Sequence, residues 1–287
     1  QMVDLQSQYY KIKPDVDNAM LSVMQSAAFI NGPEVKSFQQ ELETYLDVPH
    51  VIPCGNGTDA LQIALMALDL KEGDEVITAD FTFAATVEVI HLLKLNAVLV
   101  DVDYDTFTID TEKLKAAITP KTKAIIPVHL FGQCAPMEEI LKIAKTHNLY
   151  VIEDNAQAIG ADYTFSDGSV KKSGTMGTIG TTSFFPSKNL GCYGDGGAIF
   201  SHDDHLAHKI RGIVNHGMYE RYYHDEVGVN SRLDSLQATV LRKKLPLLDS
   251  YNEARRKAAD FYDEALSGHP QILIPKRAEN STHVFHQ

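Results

Sequence analysis

The feature that most constrains the fold is the alternation of short apolar runs and helical patterns between Pro49 and Ala156. After Gly57, for example, Leu61, Leu65 and Leu68 recur at helical spacing, and further apolar runs follow at short intervals. Parallel neighbouring strands need a long connection, usually a helix, so this alternation predicts right-handed crossovers. We therefore expect an α/β fold in which helices sandwich a mostly parallel sheet.

The predicted elements can be given in chain order. Strands are expected at His50–Cys54, Glu75–Ala79, Ala97–Val102, Lys123–Val128, Leu149–Glu153, Thr181–Phe185 and Gly197–Ser201. Helices are expected from Gly57, at 84–93, from the N-cap Asp110 to Ile118, at 136–147 and from Ser231, with a break at Pro246 before 249–266. The glycine-rich segment 162–180 is expected to form a hairpin or loop, and 283–287 to begin a strand.

These elements predict two domains of unequal size. Residues 1–245 are expected to form a large α/β domain that opens with a helical segment at 1–48. Residues 246–287 are expected to form a helical linker and the start of a small, truncated C-terminal domain.

Composition excludes several classes of partner. Thirty-eight acidic and 26 basic residues give a net charge of −12, which repels the phosphates of nucleic acids. No apolar run reaches the roughly 18 residues of a membrane span, so no membrane partner is expected. Three scattered cysteines give no disulfide framework, and the chain opens on Gln1 without a charged and then apolar leader. We therefore expect a cytoplasmic protein.

Ligands of parallel α/β sheets bind at the carboxyl ends of the strands, and one turn there resembles a dinucleotide site. Residues 55–60 fit the pattern G-x-G-x-x-G/A between a strand and a helix, and Asp80 follows twenty residues after Ala60. An NAD-dependent oxidoreductase is therefore one hypothesis. Whichever ligand binds, Gly57 and Thr58 at a helix N-terminus favour an anion site.

Lys188 suggests a second chemistry at the same end of the strands. It follows a strand and a proline and precedes a glycine-rich turn, and a partly desolvated lysine is a usable amine nucleophile. Asp154 directly follows another predicted strand, Leu149–Glu153, at the end where a carboxylate can face a cationic ligand. A phosphate cradle, an amine and a single carboxylate together suggest pyridoxal phosphate bound as a Schiff base, with no metal.

Five segments of the chain carry a family resemblance. CGNGTDALQIAL, DEVITADFTFAATVEVI, VIEDNAQAIGA, TSFFPSKNLGCYGDGGAIF and GVNSRLDSLQA occur in this order. Together they resemble the DegT/StrS sugar-nucleotide aminotransferases, which have the fold type I of pyridoxal-phosphate-dependent transferases. The resemblance is closest to the enzymes that aminate UDP-2-acetamido-2-deoxy-3-oxo-glucuronate.

The resemblance implies a role for each matching residue. Lys188 and Asp154 would be catalytic, with Lys188 binding pyridoxal phosphate and Asp154 keeping the pyridine nitrogen protonated. The remaining cofactor contacts implied are Gln157 at the ring oxygen, Phe83 stacked on the ring, Gly57, Thr58 and Ser183 at the phosphate, and Asn230 at the phosphate from the neighbouring subunit. A homodimer with shared active sites follows from the position of Asn230.

The implied function is transfer of an amino group from L-glutamate to a nucleotide-linked keto sugar, UDP-linked by resemblance, with ping-pong kinetics. Such a reaction belongs to amino-sugar and polysaccharide biosynthesis. Related sugar dehydratases carry a histidine in place of the lysine, so Lys188 argues against that class. A non-catalytic, regulatory protein that binds pyridoxal phosphate stays open beside the oxidoreductase.

Overall fold

The computed structural model describes residues 3–287, and they form alternating helices and strands. The helices are α1 Leu5–Ser26, α2 Pro33–Leu46, α3 Gly57–Ala67, α4 Ala84–Leu92, α5 Thr111–Ala117, α6 Met137–His147, α7 Asp204–Ile213, α8 Ser235–Lys244 and α9 Leu248–Leu266. The strands are β1 His50–Cys54, β2 Glu75–Ala79, β3 Asn96–Val100, β4 Thr122–Ile126, β5 Tyr150–Asp154, β6 Asp162–Thr164, β7 Val170–Lys172, β8 Ile179–Ser183, β9 Gly197–Ser201, β10 Met218–Glu220 and β11 Tyr223–His224. The predicted order of elements is confirmed, including the hairpin β6–β7 within 162–180.

The helical segment predicted at 1–48 contains α1 and α2, and its first two residues lie outside the described range. The break predicted at Pro246 is present as a 3-10 turn, Leu245–Leu247, between α8 and α9. The strand predicted from His283 is wrong. Val284 and His286 donate their N–H groups to backbone carbonyls, but Phe285 between them has a φ of 46°, which interrupts an extended backbone.

The chain folds into two compact units, each built from two separate stretches of sequence. Unit 1 contains the chain up to Asp69 together with Thr181–Leu248, and unit 2 contains Leu70–Gly180 together with Asp249–Gln287. These units differ from the predicted domains, 1–245 and 246–287, which stay a prediction.

Unit 2 contains the parallel strands that the alternation predicts. β2 pairs in parallel with β3 and with β4, and β4 pairs in parallel with β5. Fully buried apolar side chains, among them Ile77, Ile125 and Ile140, fill the core against these strands. Because the strands are parallel, their carboxyl ends share one edge, where Asp154 ends β5.

Unit 1 has a different strand arrangement. β1 pairs antiparallel with β9, and the order of strands in this unit is β1, β9, β8. A dinucleotide fingerprint requires a strand in a parallel β-α-β unit, so the antiparallel edge strand β1 does not match the oxidoreductase hypothesis. α8 packs on α1 and α2, and Arg242 of α8 forms ion pairs with Glu34 and Glu41 of α2.

Within residues 3–287, no helix combines the length and the apolarity that crossing a bilayer requires.

Candidate active site

The turn between β1 and α3 in unit 1 is held in place by side chains on both sides. Asn56 is the N-cap of α3, and its side chain accepts the Asp59 N–H at 2.8 Å. The Gly55 N–H donates to Ser231 Oγ at 2.8 Å, and this hydroxyl donates to Asp59 Oδ2 at 2.6 Å. The turn is therefore fixed before any ligand arrives.

The start of α3 lies against the end of β8. A Cβ atom placed on Gly57 would lie 2.7 Å from the Cβ of Ser183, so this contact leaves no space for a side chain. Gly57 and Thr58 are the first two residues of α3, and the N–H groups of a first helical turn have no intrahelical acceptor. Two backbone N–H groups without an intrahelical acceptor thus lie where Ser183 meets the start of α3, an arrangement that favours an anion.

Lys188 lies five residues beyond Ser183 in a closed loop, residues 184–192. The Cys192 N–H donates to the Phe184 carbonyl at 2.8 Å and joins the two ends of the loop. Inside it, the Lys188 N–H donates to the Phe185 carbonyl at 2.8 Å, and the lysine is half-buried. The loop therefore restricts where the amine can reach.

Cys192 packs against this loop as a thiol. Burial raises the pKa of Cys192 to about 11, so it stays protonated at neutral pH. Its Sγ donates to the carbonyls of Phe184 and Gly194 at 3.0 and 3.1 Å. These contacts indicate packing rather than nucleophilic chemistry.

Asp154 in unit 2 is held by neighbouring donors. It is 5% exposed, and its Oδ2 accepts the hydroxyl of Thr86 at 2.8 Å. Its Oδ1 accepts the Ala156 N–H at 3.2 Å, and Thr82 extends the network with a 2.8 Å contact to Thr86. The orientation of this carboxylate is therefore set by α4 and by the turn after β5.

Glu153, the preceding residue, is completely buried beside His129. His129 Nδ1 accepts the Ala135 N–H at 3.1 Å, so the imidazole proton is on Nε2, which donates to Glu153 at 2.8 Å. Glu153 also accepts the backbone N–H groups of Gly174, Met176 and Gly177 at 2.8, 2.6 and 2.5 Å. The pair is sealed from solvent and serves the structure of unit 2.

Gln157 has its amide oriented by the backbone. Its Oε1 accepts the Phe131 N–H at 2.7 Å, which leaves the Nε2 end to donate to a ligand. Phe83, just before α4, is 70% exposed, so its ring is accessible to a planar group. Asn230 is exposed and pairs with Asn215 in an isolated bridge.

Sequence reasoning missed Thr86 and Ser231 because their partners are far along the chain. Thr86 contacts Asp154 across 68 residues, and Ser231 contacts Gly55 across 176. The only signal for Ser231 is its place beside Asn230 in the conspicuous run GVNSRLDSLQA. Among residues 3–287, no three His, Cys, Asp or Glu side chains are grouped to hold a metal ion.

Relatives of this chain include aminotransferases and a protein named for regulation. Residues 10–287 match the DegT/DnrJ/EryC1/StrS aminotransferase family. The chain is 49% identical over 288 residues to the "Pleiotropic regulatory protein" of Geobacillus stearothermophilus, covering 100% of this chain and 76% of that protein. It is 48% identical over 266 residues to the UDP-2-acetamido-2-deoxy-3-oxo-D-glucuronate aminotransferase of Pseudomonas aeruginosa, covering 93% and 73%.

Solved structures of the same class share the fold. A DegT DnrJ EryC1 StrS aminotransferase from Brucella abortus superposes with a TM-score of 0.95 at 41% identity, covering 100% of this chain and 77% of that one. NtdA from Bacillus subtilis with bound cofactor PMP superposes with a TM-score of 0.87 at 35% identity, covering 96% and 62%. The predicted α/β aminotransferase fold is confirmed, and the chain belongs to the DegT/DnrJ/EryC1/StrS aminotransferase family.

Proposed function

We propose that this chain uses pyridoxal phosphate to move an amino group from L-glutamate to a nucleotide-linked keto sugar. The observation that carries the proposal is in unit 1. A lysine in a closed loop follows, by five residues, the serine that packs against the start of α3.

The residues of unit 1 fit the phosphate and aldehyde ends of this cofactor. The absence of a side chain at Gly57 lets Ser183 pack against the start of α3, beside the first N–H groups of that helix, which favour a phosphate. Thr58 and Ser183 add hydroxyl donors. Lys188 supplies the primary amine that an aldehyde requires.

The residues of unit 2 fit the ring. A pyridinium nitrogen needs a carboxylate acceptor, and Asp154 is nearly buried and held by the Thr86 hydroxyl. The phenolic oxygen of the ring needs a donor, and Gln157 has its Nε2 end turned away from Phe131. Phe83 offers an exposed ring for stacking.

Each residue then has a defined task in the reaction. Lys188 Nζ would hold the cofactor at its aldehyde carbon and, once freed by an amino donor, would take the α-proton of that donor. Asp154 would accept a hydrogen bond from the ring nitrogen and keep it protonated. When bound, pyridoxal phosphate supplies an electron sink for the carbon that loses this proton. Donor and acceptor use one site in turn, so the proposal includes ping-pong kinetics.

The substrate is proposed to be a UDP-linked keto sugar, with the product entering polysaccharide biosynthesis. The support is the Pseudomonas aeruginosa relative, whose name specifies a UDP-linked 3-oxo sugar. A cytoplasmic location and a homodimer in which Asn230 serves the partner's phosphate site complete the proposal.

A regulatory protein that binds pyridoxal phosphate is the second candidate, and a specific observation favours it. The Geobacillus stearothermophilus relative carries a regulatory name at 49% identity. Both candidates predict a covalent adduct on Lys188, but only the aminotransferase predicts turnover.

The test begins with purified protein and added pyridoxal phosphate. We expect a yellow protein, an adduct fixed by borohydride and located on Lys188 by peptide mass spectrometry, and 2-oxoglutarate release from L-glutamate with a keto-sugar nucleotide. The Lys188→Ala variant should lose both colour and turnover, whereas Lys171→Ala, at an exposed lysine, should keep them. An adduct without turnover on UDP-, dTDP- and GDP-linked keto sugars would favour the regulatory candidate. No adduct at all would refute both.

A further inference from the structure

α8 directs two polar side chains at the segment that follows Lys188. Gln237 and Lys244 are seven residues apart, about two helical turns, and therefore share one face of α8. Gln237 Oε1 accepts the Tyr193 N–H at 2.9 Å, and Lys244 Nζ donates to the Gly191 carbonyl at 2.7 Å. The segment is tied to α8 at two points.

Lys244 is an unusual residue for such a contact because it is only 1% exposed. Its Nζ lies 4.6 Å from the centre of the Tyr193 ring, and the Cys192 thiol is also near enough to affect its pKa. Burial lowers the pKa of Lys244 to about 8. A buried ammonium that binds a carbonyl and a ring, rather than a carboxylate, opposes folding by its desolvation. The role of the Lys244 hydrogen bond is therefore to be sought in the backbone segment that it holds, at Gly191.

The contact reaches Lys188 through the backbone of the loop 184–192. A Cβ placed on Gly191 would lie 2.3 Å from the Pro186 carbonyl oxygen, so these two backbone segments are packed directly together. Pro186 is two residues before Lys188. A shift of Gly191 would therefore be transmitted to both sides of the lysine.

We propose that Lys244 is a positioning residue, whose hydrogen bond to the Gly191 carbonyl keeps the loop 184–192 in the conformation that presents the Lys188 amine. The inference rests on the proposed function, since it is the reactivity of Lys188 that the loop serves.

The first experiment measures how well the loop 184–192 is protected from hydrogen exchange in the absence of the cofactor. In full-length apo protein, Lys244→Met keeps the length of the side chain and removes the donor, and Lys243→Met is the matched control at an exposed neighbour. Hydrogen exchange followed by mass spectrometry should show about tenfold lower protection of residues 184–192 in Lys244→Met, as for the loss of one charge-assisted hydrogen bond. Lys243→Met should match the wild type. Equal protection in all three proteins would overturn the proposal.

The second experiment measures how fast the Lys188 amine reacts with pyridoxal phosphate. The rate of covalent capture of pyridoxal phosphate, followed by absorbance, should fall about tenfold in Lys244→Met. Lys244→Arg, which keeps a cationic donor, should recover most of the rate, a rescue that loss of stability alone does not predict. Loss of loop protection without slower capture would show that the contact is structural only and would overturn the proposal.

Two outcomes separate this proposal from the proposed function. If the wild type captures no pyridoxal phosphate, the proposed function fails, and with it the positioning role. If the wild type captures it and Lys244→Met does so at the same rate, only the positioning role fails.

Should Lys244→Met not fold, the wild type itself provides the test. Opening of the segment exposes Lys244 to solvent, where its pKa returns to 10.5, so protection of 184–192, corrected for intrinsic exchange, should rise between about pH 8 and 10.5. A constant value would overturn the proposal.

Discussion

At the scale of single residues, the buried Lys244 makes the stability of the protein depend on pH. Its pKa is about 8 in the folded chain against 10.5 for an ordinary lysine. Between these values the unfolded chain still binds a proton that the folded chain has released, so stability rises with pH. Summed over this window, the gain is about 3 kcal/mol.

Chemical denaturation at a series of pH values measures this effect. The free energy of unfolding should rise between about pH 8 and 10.5 relative to Lys244→Met, in which this contribution is absent. Lys243→Met should keep the dependence of the wild type. A difference between wild type and Lys244→Met that stays constant with pH would contradict the depressed pKa.

Thr86 gives a second prediction for a single side chain. Replacing Thr86 with Val keeps the shape of the side chain and removes the hydroxyl that donates to Asp154 Oδ2. We expect the dissociation constant for pyridoxal phosphate to rise by about tenfold, because a buried carboxylate loses a donor and its fixed orientation. Equilibrium dialysis measures the constant. Thr86→Ser should retain most of the affinity, and Thr82→Val, which removes only the outer hydroxyl, should change it less.

The residues that sequence alone could predict are those within a distinctive local pattern. Lys188 and Asp154 follow predicted strands within recognisable motifs. Thr86 and Ser231 stand in no pattern of their own, because their roles arise from contacts across 68 and 176 residues. Their contribution becomes visible only once the chain has folded.

At the scale of elements, the turn from β1 into α3 leaves no room for a side chain at Gly57. We expect Gly57→Ala to destabilise the protein by about 1–3 kcal/mol, since its new Cβ would meet Ser183 at 2.7 Å. Affinity for pyridoxal phosphate should fall with it. Thermal unfolding and cofactor titration check the two effects.

The control for that prediction is a compensating pair. Gly57→Ala combined with Ser183→Gly removes the Cβ atom that Ala would meet, so stability should recover in part. Affinity should stay low, because the Ser183 hydroxyl is also lost. A double variant no more stable than Gly57→Ala alone would show that the strain has another origin.

Element boundaries were predictable where apolar runs end at turn residues, and not elsewhere. β1, β2 and β9 begin and end at the predicted residues. The strand expected at 181–185 instead spans Ile179–Ser183, because Phe184 begins the closed loop of Lys188. Hydrophobicity alone does not distinguish a buried phenylalanine of a loop from one of a strand.

At the scale of the whole molecule, the net charge of −12 predicts a response to salt. Self-repulsion among excess acidic groups opposes the compact state, and salt shortens the Debye length from about 30 Å at 0.01 M to about 10 Å at 0.1 M. Tm should therefore rise as sodium chloride increases over this range, as measured by calorimetry. A falling Tm would show that attractive ion pairs, such as those of Arg242, outweigh the repulsion.

The proposed homodimer gives a prediction for two chains together. Lys188→Ala and Asn230→Ala should each be nearly inactive, and mixing them under conditions of subunit exchange should restore partial activity. Restoration follows because one site of each heterodimer then contains an intact Lys188 and an intact Asn230 from the partner. Activity that stays absent while native mass spectrometry shows heterodimers would contradict shared sites.

The fold class was predictable from alternation and family resemblance, but the division into units was not. Residues 70–180 form unit 2 with a distant segment, 249–287, while the intervening chain returns to unit 1. No local sequence pattern marks the positions at which the chain passes from one unit to the other, because each position depends on which surfaces pack together.

The neighbouring acids Glu153 and Asp154 restrict the register that β5 can adopt. Successive side chains of a strand point to opposite faces, so one carboxylate is enclosed by four donors while the other meets the Thr86 hydroxyl. A slip of one position that moved Glu153 into the place of Asp154 would bring Ile152 to the enclosed N–H groups and leave them without an acid. The enclosed Glu153 thus fixes the register of β5, and this register makes Asp154 the carboxylate that is available to a ligand.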